Sequence, residues 1–353
     1  ATMEPPSPVP ADTVGASARA KSSALKPSLR LHWLAPLDGT AILAETPSNR
    51  YDNELHNKPA ARKAWSKKLI PQIIVKREGI NLKSTFIAAW EPFKNKSFID
   101  SIKPFNGLTG DAKGWVVTSG DENKVVLYQA PEKKRMLTTK ALSSDGRFSI
   151  KSISKGITAI DLYDGNIIET TDLKAELQAV PKLNVTGLAL ENNKFVISVD
   201  GILREAEYSD EYLCFTLQGH SNRWLKLTRI VNEGVKSKII LAENPGFTFD
   251  AQKNILRETY FPHRVLNGKA TVKLPEWMNI KQGVNLLLRA SNRVKLTLKN
   301  HKGSNYSIME KQVSGKWNEL KCSKQHNNLI IWVTPRKISC DWIEIKVIEN
   351  EKK

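Results

Sequence analysis

Cysteine is scarce in this sequence, and long apolar runs are missing. The 353 residues include three cysteines, Cys214, Cys322 and Cys340, which form neither a disulfide framework nor a metal-binding pattern. Cys322 and Cys340 would pair across neighbouring strands in an oxidising compartment, although buried free thiols are the favoured interpretation. No run of roughly 18 or more apolar residues occurs, and this absence excludes a transmembrane helix.

Sequence motifs of the common catalytic and metal sites are also missing. None of the six histidines lies in an HxH or HExxH pattern, and no CxxC pair is present. The sequence likewise has no GxGxxG motif, no P-loop and no GxSxG motif. We therefore identify no cofactor and assign no catalytic residue, while a structural divalent metal with dispersed ligands stays open.

Positive charge is in excess and is unevenly distributed. The chain has 54 Lys and Arg against 36 Asp and Glu, a formal net charge of +18. Residues 251–353 hold 20 basic and 8 acidic residues, a net charge of +12, which leaves +6 for residues 1–250. A domain of this charge attracts polyanions, and counterion release favours the binding. The alternative is a lysine-rich surface that serves solubility alone.

Proline and turn residues divide the N-terminal part of the chain into segments. Residues 1–28 are rich in Pro, Ala and Ser and indicate an extended leader. Short strands are predicted at 29–33 and 40–45, and the polar stretch 46–68 is predicted to be a long surface loop. An apolar segment typical of a signal peptide is not found at the start of the chain.

From residue 69 onwards, apolar and β-branched segments predict strands that are separated by turns. Asp145-Gly146, Asp164-Gly165 and Asn192-Asn193 are predicted as three hairpin tips, because such pairs accept positive φ. No helical pattern interrupts the strands, which argues against a βαβ fold. The sequence therefore predicts an all-β protein. A large antiparallel β-sandwich, resembling a supersandwich, is expected at 29–250, and a smaller jelly-roll β-sandwich is expected at 251–353.

Two short segments of the first predicted sandwich contain candidate substrate-binding residues. Arg30 and His32 share one face of the strand at 29–33, which indicates either a substrate-facing pair or an exposed polar face. Trp90 and Glu91 end a strand before a proline, and their functional interpretation is sugar stacking and acid–base catalysis, respectively. The favoured structural interpretation places Trp90 in the core and gives Glu91 a hydrogen bond at the strand end.

The basic C-terminal segment mixes tryptophan with arginine and lysine. A tryptophan on a sheet face can stack on the apolar C–H patch of a pyranose ring, and arginine pairs bidentately with carboxylates or sulfates. The same mixture would suit nucleic acid, and each single tryptophan is more often a core residue. The candidate substrate-binding residues of this segment are Arg257, Arg264, Arg289, Arg293, Trp317 and Trp342.

Residues 29–102 resemble the β-sandwich region of heparinase-II/III-like polysaccharide lyases. The resemblance lies in LRLHWLAP (29–36), TAILAETPS (40–48), IPQIIVKREG (70–79) and STFIAAWEPFKNKSFIDSI (84–102). The later stretches GITAIDLYDG (156–165) and LALENNKFVISVDG (188–201) are similar in style but less specific. The final segment is similar to the accessory sandwiches that end some of these enzymes.

The resemblance implies an enzyme that cleaves acidic glycans by β-elimination at a uronic acid. Members of this family combine an N-terminal α/α-toroid with a large antiparallel sandwich, and a Tyr/His pair moves the protons. The carboxylate beside the C5 proton must be neutralised before a base can remove that proton. This sequence contains neither a helical toroid nor the family's GHxHAD-like stretch, so no catalytic residue is carried over.

The leading hypothesis is therefore the substrate-binding and scaffold portion of a polysaccharide lyase. Its substrate would be an acidic, uronic-acid-containing polysaccharide, and the chain alone would be inactive without an upstream α/α-toroid module. A periplasmic or extracellular location of bacterial type is expected. A non-catalytic glycan-binding or adhesion protein is the first alternative. A nucleic-acid-binding protein is the second and less favoured alternative, because charge alone suggests it.

Overall fold

The structure is a computed structural model that describes residues 27–35, 39–47, 69–82, 84–105, 108, 111–130, 135–220, 222–301, 306–335 and 341–349. Regular structure within these ranges consists of β-strands, with no helix among them. The predicted all-β class with antiparallel, sandwich-type sheets is confirmed. The chain divides into two compact units, residues 1–99 and 100–353. Most of the predicted leader and of the predicted loop at 46–68 lie outside the described residues.

The first unit contains two separate pairs of strands. Their bounds are β1 (Pro27–Ala35), β2 (Thr40–Pro47), β3 (Leu69–Lys76) and β4 (Ile87–Lys94). β1 pairs with β4 and β2 pairs with β3, both antiparallel. The β1–β4 register places Arg30 opposite Glu91 and Leu31 opposite Trp90. Because side chains alternate along a strand, Arg30 and Glu91 share one face, and Trp90 lies on the other.

The second unit contains the strands β5 to β30. The first group is β5 (Ser101–Pro104), β6 (Lys113–Ser119), β7 (Glu122–Tyr128), β8 (Leu137–Thr138), β9 (Ser143–Ser144), β10 (Phe148–Ser154), β11 (Ile157–Tyr163), β12 (Ile167–Glu169) and β13 (Leu173–Leu177). The second group is β14 (Leu183–Glu191), β15 (Lys194–Val199), β16 (Ala206–Leu217), β17 (Asn222–Glu233), β18 (Lys236–Leu241), β19 (Phe247–Asp250), β20 (Ile255–Glu258), β21 (Val265–Asn267) and β22 (Ala270–Lys273). The third group is β23 (Trp277–Gln282), β24 (Leu286–Ala290), β25 (Val294–Leu298), β26 (Tyr306–Lys311), β27 (Trp317–Leu320), β28 (Cys322–Gln325), β29 (Asn328–Val333) and β30 (Ile343–Glu349).

Two large sheets of the second unit form a β-sandwich. The ten-stranded sheet has the order β27-β26-β30-β24-β23-β11-β10-β7-β6-β5, and the seven-stranded sheet has the order β28-β29-β25-β13-β12-β9-β8. Alternate side chains of both sheets point inward and share one apolar core. Leu162 and Ile280 reach this core from the ten-stranded sheet, and Leu296 and Ile331 reach it from the seven-stranded sheet.

A closed six-stranded barrel is inserted between β13 and β23 of the sandwich. Its strand order is β14-β15-β18-β17-β16-β22, and a three-stranded sheet of β19, β20 and β21 lies between β18 and β22 in the chain. The barrel has its own apolar core, in which the rings of Phe215 and Phe247 lie 4.9 Å apart. Phe247 and Leu256 come from the three-stranded sheet, so that sheet packs on the barrel core.

These groupings differ from the division that the sequence predicts at residues 250 and 251. β19 ends at Asp250 and pairs with β20, so both sides of the predicted boundary belong to one sheet. The strands predicted for the smaller jelly roll lie in the barrel, the three-stranded sheet and both sandwich sheets. The charge of the sequence changes near residue 250, but charge carries no information on which distant strands pair. Pairing follows from packing of the apolar faces.

Two of the three predicted hairpin tips are corners between the sandwich sheets. Asp145-Gly146 joins β9 of the seven-stranded sheet to β10 of the ten-stranded sheet, and Asp164-Gly165 joins β11 back to β12. A Cβ atom on Gly165 would lie 2.7 Å from the backbone nitrogen of Gly146, so the two corners pack backbone to backbone. The hairpin prediction is wrong here, because the turn residues accept either geometry and the sandwich core selects the corner.

The third predicted hairpin tip is confirmed. Asn192 and Asn193 have φ angles of 48° and 60° and join β14 to β15 within the barrel. Both asparagines lie in the left-handed region that a two-residue turn of type I′ requires. The adjacent pair of Glu191 and Lys194 closes the hairpin.

Candidate functional site

The outer face of the ten-stranded sheet is the candidate functional surface. On β11 and β23, Leu162 and Ile280 are buried in the sandwich core. Side chains alternate along a strand, so the neighbouring Asp161, Tyr163 and Asn279 point away from that core. The strand pattern of apolar and polar residues therefore builds one apolar inner face and one mixed aromatic and polar outer face.

An aromatic row crosses four neighbouring strands on this outer face. Tyr128 of β7 lies opposite Phe148 of β10, Phe148 lies opposite Tyr163 of β11, and Tyr163 lies opposite Trp277 of β23. The rings of Phe148 and Tyr163 are 6.5 Å apart and tilted. Neighbouring strands are about 4.8 Å apart, so the row is roughly 14 Å long. Tyr163 is 43% exposed, and the other three side chains are partly exposed.

A polar row lies beside the aromatic row on the same face, two residues along each strand. The side-chain amide of Asn279, which is buried, donates to Asp161 Oδ1 at 2.6 Å. The side-chain oxygen of Asn279 accepts a hydrogen bond from Nε of Arg289 at 2.9 Å. Asn279 therefore fixes the guanidinium of Arg289 through Nε. Among the described residues, no acceptor is seen for the two terminal nitrogens of Arg289, which leaves them for a ligand.

Arg289 lies between two tryptophans. Its guanidinium carbon is 4.8 Å from the ring centroid of Trp342 and 5.9 Å from that of Trp277. Lys281 Nζ also lies 4.8 Å from the Trp342 ring. The indole N–H of Trp277 donates to Glu211 Oε2 of the barrel at 3.4 Å, which orients this ring. Cation–π contacts of this kind each contribute about 0.5–1 kcal/mol at exposed sites, so the four groups hold each other in place.

The charged residues continue towards the β27 edge of the sheet. Lys311 Nζ lies 5.8 Å from the ring centroid of Trp317 and 3.0 Å from Glu344 Oε2. Asn285 donates a second hydrogen bond to Glu344 at 2.7 Å. The hydrogen bonds from Lys311 and Asn285 hold the pKa of Glu344 below its usual value. This acid stays ionised and paired at neutral pH, so the edge has no free negative charge from Glu344 to repel an anion.

We call the outward set of Tyr128, Phe148, Tyr163, Trp277, Arg289 and Trp342 the aromatic face. Its aromatic planes offer stacking surfaces, and its guanidinium offers directional N–H donors. The lysine beside Trp342 adds a second positive charge. This combination suits a ligand that has flat or weakly apolar ring faces and anionic substituents.

The structure distributes the C-terminal candidates over several surfaces. Arg289 and Trp342 come together on the aromatic face, and Trp317 lies at the edge of the same sheet. Arg293 lies with its guanidinium carbon 4.7 Å from the ring centroid of Trp332, beside the seven-stranded sheet. Arg257 and Arg264 belong to the region of the three-stranded sheet that covers the barrel core. The six predicted residues therefore do not form a single site.

Two of the N-terminal candidates, Arg30 and His32, meet the third, Glu91, at its buried carboxylate. The side chain of Glu91 is fully buried, and its Oε2 lies 2.9 Å from His32 Nε2 and 3.7 Å from a terminal nitrogen of Arg30. Its Oε1 accepts hydrogen bonds from the Ser97 hydroxyl at 2.7 Å and from the Ile99 N–H at 2.8 Å. The prediction that Arg30 and His32 share a strand face holds in the β1–β4 register, and this face meets Glu91.

The hydrogen bonds around Glu91 decide its protonation state. Burial raises the pKa of Glu91, but the hydrogen bonds from the Ile99 amide, the Ser97 hydroxyl and its other donors outweigh burial and lower the pKa to about 2. A carboxylate that is ionised at neutral pH and occupied by several donors is a poor general acid. Its geometry agrees with the structural interpretation, in which Glu91 forms hydrogen bonds at the strand end.

Trp90 lies on the opposite face of β4 from Glu91. Its side chain is 62% exposed, so the prediction that it belongs to a core is wrong. The cause is local. β1 and β4 form a two-stranded sheet, and a sheet of this size is too small to bury the side chains on both of its faces. Trp90 and Glu91 therefore do not form a joint stacking and acid–base site.

Three members of the aromatic face, Tyr128, Phe148 and Tyr163, were not singled out from the sequence. Each is the first or last residue of its strand in the structure and points outward in the alternation along that strand. This alternation was the sequence signal that could have identified the three residues as outward-facing. The alignment with Trp277 was not available, because β11 and β23 are separated in the chain by the whole barrel and their register is a tertiary feature.

Groups of His, Cys, Asp and Glu that could hold a metal ion are not found among the described residues. Cys214 and Cys322 are free thiols, and Cys340 lies outside the described residues. The described part of the chain contains no helix long and apolar enough to cross a membrane. No protein-family model, no curated protein and no solved structure matches the chain.

Proposed function

We propose that the protein binds an acidic polysaccharide along the aromatic face, as the substrate-binding portion of a polysaccharide lyase. The observation that carries the proposal is the position of Arg289 between Trp277 and Trp342, at the end of a row of aromatic side chains. At this position, a fixed guanidinium that can donate hydrogen bonds to an anion lies between two aromatic rings.

The first part of the proposal, stacking of sugar rings, depends on the geometry of the aromatic row. A pyranose ring has an apolar patch of C–H groups that packs on an aromatic plane, so a line of aromatic side chains suits a linear glycan. A row of roughly 14 Å is long enough to contact more than one sugar ring. Partial exposure of all four side chains leaves their outward surfaces accessible.

The second part of the proposal, binding of the acidic groups, depends on Arg289 and Lys281. Asp161 is the acidic group of the polar row, and its Oδ1 accepts a hydrogen bond from Asn279. The two nearby carboxylates both accept hydrogen bonds, Asp161 from Asn279 and Glu211 from Trp277, while the terminal N–H groups of Arg289 and the ammonium of Lys281 are offered to a carboxylate or sulfate of the glycan. The overall net charge of +18 adds long-range attraction for any polyanion and accelerates encounter.

The third part of the proposal, that the chain belongs to a lyase, depends on the resemblance of residues 29–102 to heparinase-II/III-like lyases. Since the sequence provides no catalytic pair, the chain alone is expected to form no unsaturated uronate, while a catalytic module added in trans would supply the base and acid. Ultraviolet absorbance of unsaturated uronates measures this directly. Product formation by the chain alone would contradict the scaffold role. A periplasmic or extracellular location belongs to the same proposal.

Affinity electrophoresis through gels that contain heparin, hyaluronan or alginate tests the binding. We expect Trp342→Ala and Arg289→Gln each to weaken retention roughly tenfold, since stacking and charge-assisted hydrogen bonds are worth about 1–3 kcal/mol. Trp224→Ala is the matched control, because Trp224 is also an exposed tryptophan, on β17 of the barrel. Neutral dextran in the gel serves as the uncharged polymer.

Two results would contradict the proposal. Equal retention of the Trp342→Ala and Trp224→Ala variants would show that the aromatic face is not the binding surface. A clear preference for DNA over heparin in direct competition would favour the nucleic-acid alternative. Salt dependence by itself does not separate these cases, because every polyanion releases counterions on binding.

A further inference from the structure

A cleft lies beside the three-stranded sheet that packs on the barrel. It has a volume of about 280 Å³. This is slightly below the roughly 300–1,000 Å³ of sites for drug-sized ligands, so a single ring fits better than a chain of rings. The residues that decide its chemistry are Arg223, Gly246, Glu258, Tyr260, Phe261 and Arg264.

One wall of the cleft carries two arginines that share a single acid. Arg264 donates from Nε to Glu258 Oε2 at 2.9 Å and from a terminal nitrogen to Oε1 at 3.0 Å. Arg223 also donates to Glu258 Oε1. The hydrogen bonds from Arg264 and Arg223 lower the pKa of Glu258 to about 2, so the three groups carry one net positive charge at neutral pH. That charge is left for an anion.

Arg223 is held in place by a contact with the barrel core. Its guanidinium carbon lies 5.1 Å from the ring centroid of the buried Phe247, and only 24% of its side chain is exposed. Phe247 in turn packs on Phe215 in the barrel core. Arg223 therefore has little freedom left to lose when a ligand binds, which favours binding. Arg264 is 58% exposed at the rim, where a ligand can reach its remaining N–H groups.

The other wall of the cleft is aromatic. Gly246 has a φ of 76°, and a Cβ atom there would lie 3.0 Å from two ring carbons of Tyr260, so the glycine lets the Tyr260 ring rest on the backbone. The N–H of His263 donates to the Tyr260 carbonyl at 2.8 Å and closes the turn that presents Phe261. Tyr260 and Phe261 are 63% and 90% exposed. Two large exposed aromatic rings beside two arginines favour a ring-shaped anion.

We propose that this cleft binds a single acidic sugar unit, with its carboxylate or sulfate against Arg223 and Arg264 and its ring face against Tyr260 and Phe261. The choice of a sugar rests on the proposed function, while the choice of a ring-bearing anion rests on the cleft itself. The cleft would then hold one unit or one end of a polymer, in addition to the internal stretch that lies on the aromatic face.

Ligand-observed saturation-transfer NMR with methyl β-D-glucuronide tests the cleft in the full chain. Methyl β-D-glucoside tests the need for the carboxylate, and inorganic sulfate, added as a competitor of the glucuronide because it has no protons to observe, tests the need for the ring. We expect saturation transfer to the glucuronide and none to the glucoside. Arg264→Gln should weaken the affinity roughly tenfold, because it removes a charge-assisted donor. Phe261→Ala should weaken it severalfold through lost stacking, and its exposed position leaves the fold intact.

Lys253→Gln is the matched control, because it removes one exposed positive charge from the turn between β19 and β20 without touching the cleft. Equal glucuronide affinities of the Lys253→Gln and Arg264→Gln variants would overturn the proposal. So would inorganic sulfate that binds as tightly as the glucuronide, because the ring would then contribute nothing.

Polymer retention, measured with the same variants, separates this proposal from the proposed function. Loss of glucuronide binding with intact, Trp342-dependent polymer retention overturns the cleft alone. Glucuronide binding that depends on Arg264, together with polymer retention that ignores Trp342 and Arg289, supports the cleft and overturns the aromatic face.

Discussion

The two compact units of the chain are stabilised by different means. In residues 100–353, two apolar cores fill the sandwich and the barrel, and side chains such as Phe215, Leu162 and Ile280 are almost completely buried. In the described part of residues 1–99, the buried side chains are Ala35 and Glu91. A two-stranded sheet is too small to enclose an apolar core, and a fully paired carboxylate takes the central position instead.

Because of this difference, the two regions should respond differently to side-chain truncation and to pH. Truncation of a side chain in an apolar core lowers the free energy of unfolding by an amount that grows with the volume removed, at any pH. A buried carboxylate depends on its charge and on each of its donors, and it has its effect only over the pH range in which it is ionised. The barrel should therefore be sensitive to truncation, and the β1–β4 region should be sensitive to acid and to single changes at Glu91.

The largest effect is expected from truncation in the barrel core. Phe215→Ala should lower the free energy of unfolding by about 3–5 kcal/mol, because it removes a fully buried ring that packs on Phe247 and Phe249. Urea unfolding followed by circular dichroism measures the loss. Trp224→Ala removes an exposed ring from the same barrel and should change the value by less than about 0.5 kcal/mol. Similar losses in both variants would contradict the account of the core.

Acid should weaken the β1–β4 region before the cores. The pKa of Glu91 falls from 4.5 to about 2 on folding, so its stabilisation is complete above pH 4.5 and is lost as the pH falls through about 2. The loss is on the order of 3 kcal/mol. The amide resonances of Phe98 and Ile99, which donate to Glu91, should titrate in NMR spectra with a midpoint near pH 2. A midpoint near pH 4.5 would mean that the hydrogen bonds are absent.

Glu91→Gln should have a smaller effect that stays local. The amide cannot carry the charge, and its NH₂ group would face the donors of His32 and Arg30, which leaves buried groups unpaired at a cost of about 1–3 kcal/mol. Amide hydrogen exchange at Ile99 should accelerate, while exchange in the barrel stays unchanged. Glu45→Gln, on the exposed surface of β2, is the control and should alter neither. Faster exchange in the barrel would show that the two regions are coupled.

The smallest effect is expected from an exposed ion pair on the barrel. Lys238 Nζ lies 3.0 Å from Glu191 and 3.3 Å from Glu233, and these hydrogen bonds raise the pKa of Lys238. Water and salt screen such surface pairs, so Lys238→Gln should leave the urea midpoint unchanged within error. A measurable loss would mean that surface charges add to the stability that the apolar core provides.

The strand content of the second unit was largely predictable from the sequence. Alternation along the last strand accounts for the burial of Ile343 and Ile345 and for the position of Glu344 on the opposite face. Asn192-Asn193 correctly predicts a tight hairpin, because two successive positive φ angles suit asparagine. These features depend on neighbours in the chain, and the sequence contains that information.

The candidate site was only partly predictable. Arg289 and Trp342 were singled out by residue type, but Arg257 and Arg293 were singled out by the same argument and lie on other surfaces. Residue type alone does not tell which basic and aromatic residues meet. The aromatic row needed the register between β11 and β23, which no local pattern records.

By itself, the sequence determined the all-β class, the strand faces and the excess of positive charge, since each follows from composition and from alternation along single strands. Tertiary structure alone decided that Asp145-Gly146 and Asp164-Gly165 are corners, that a barrel interrupts the sandwich, and that Arg289 lies between Trp277 and Trp342. The physical reason is that burial of apolar faces selects among strand pairings that are locally equivalent.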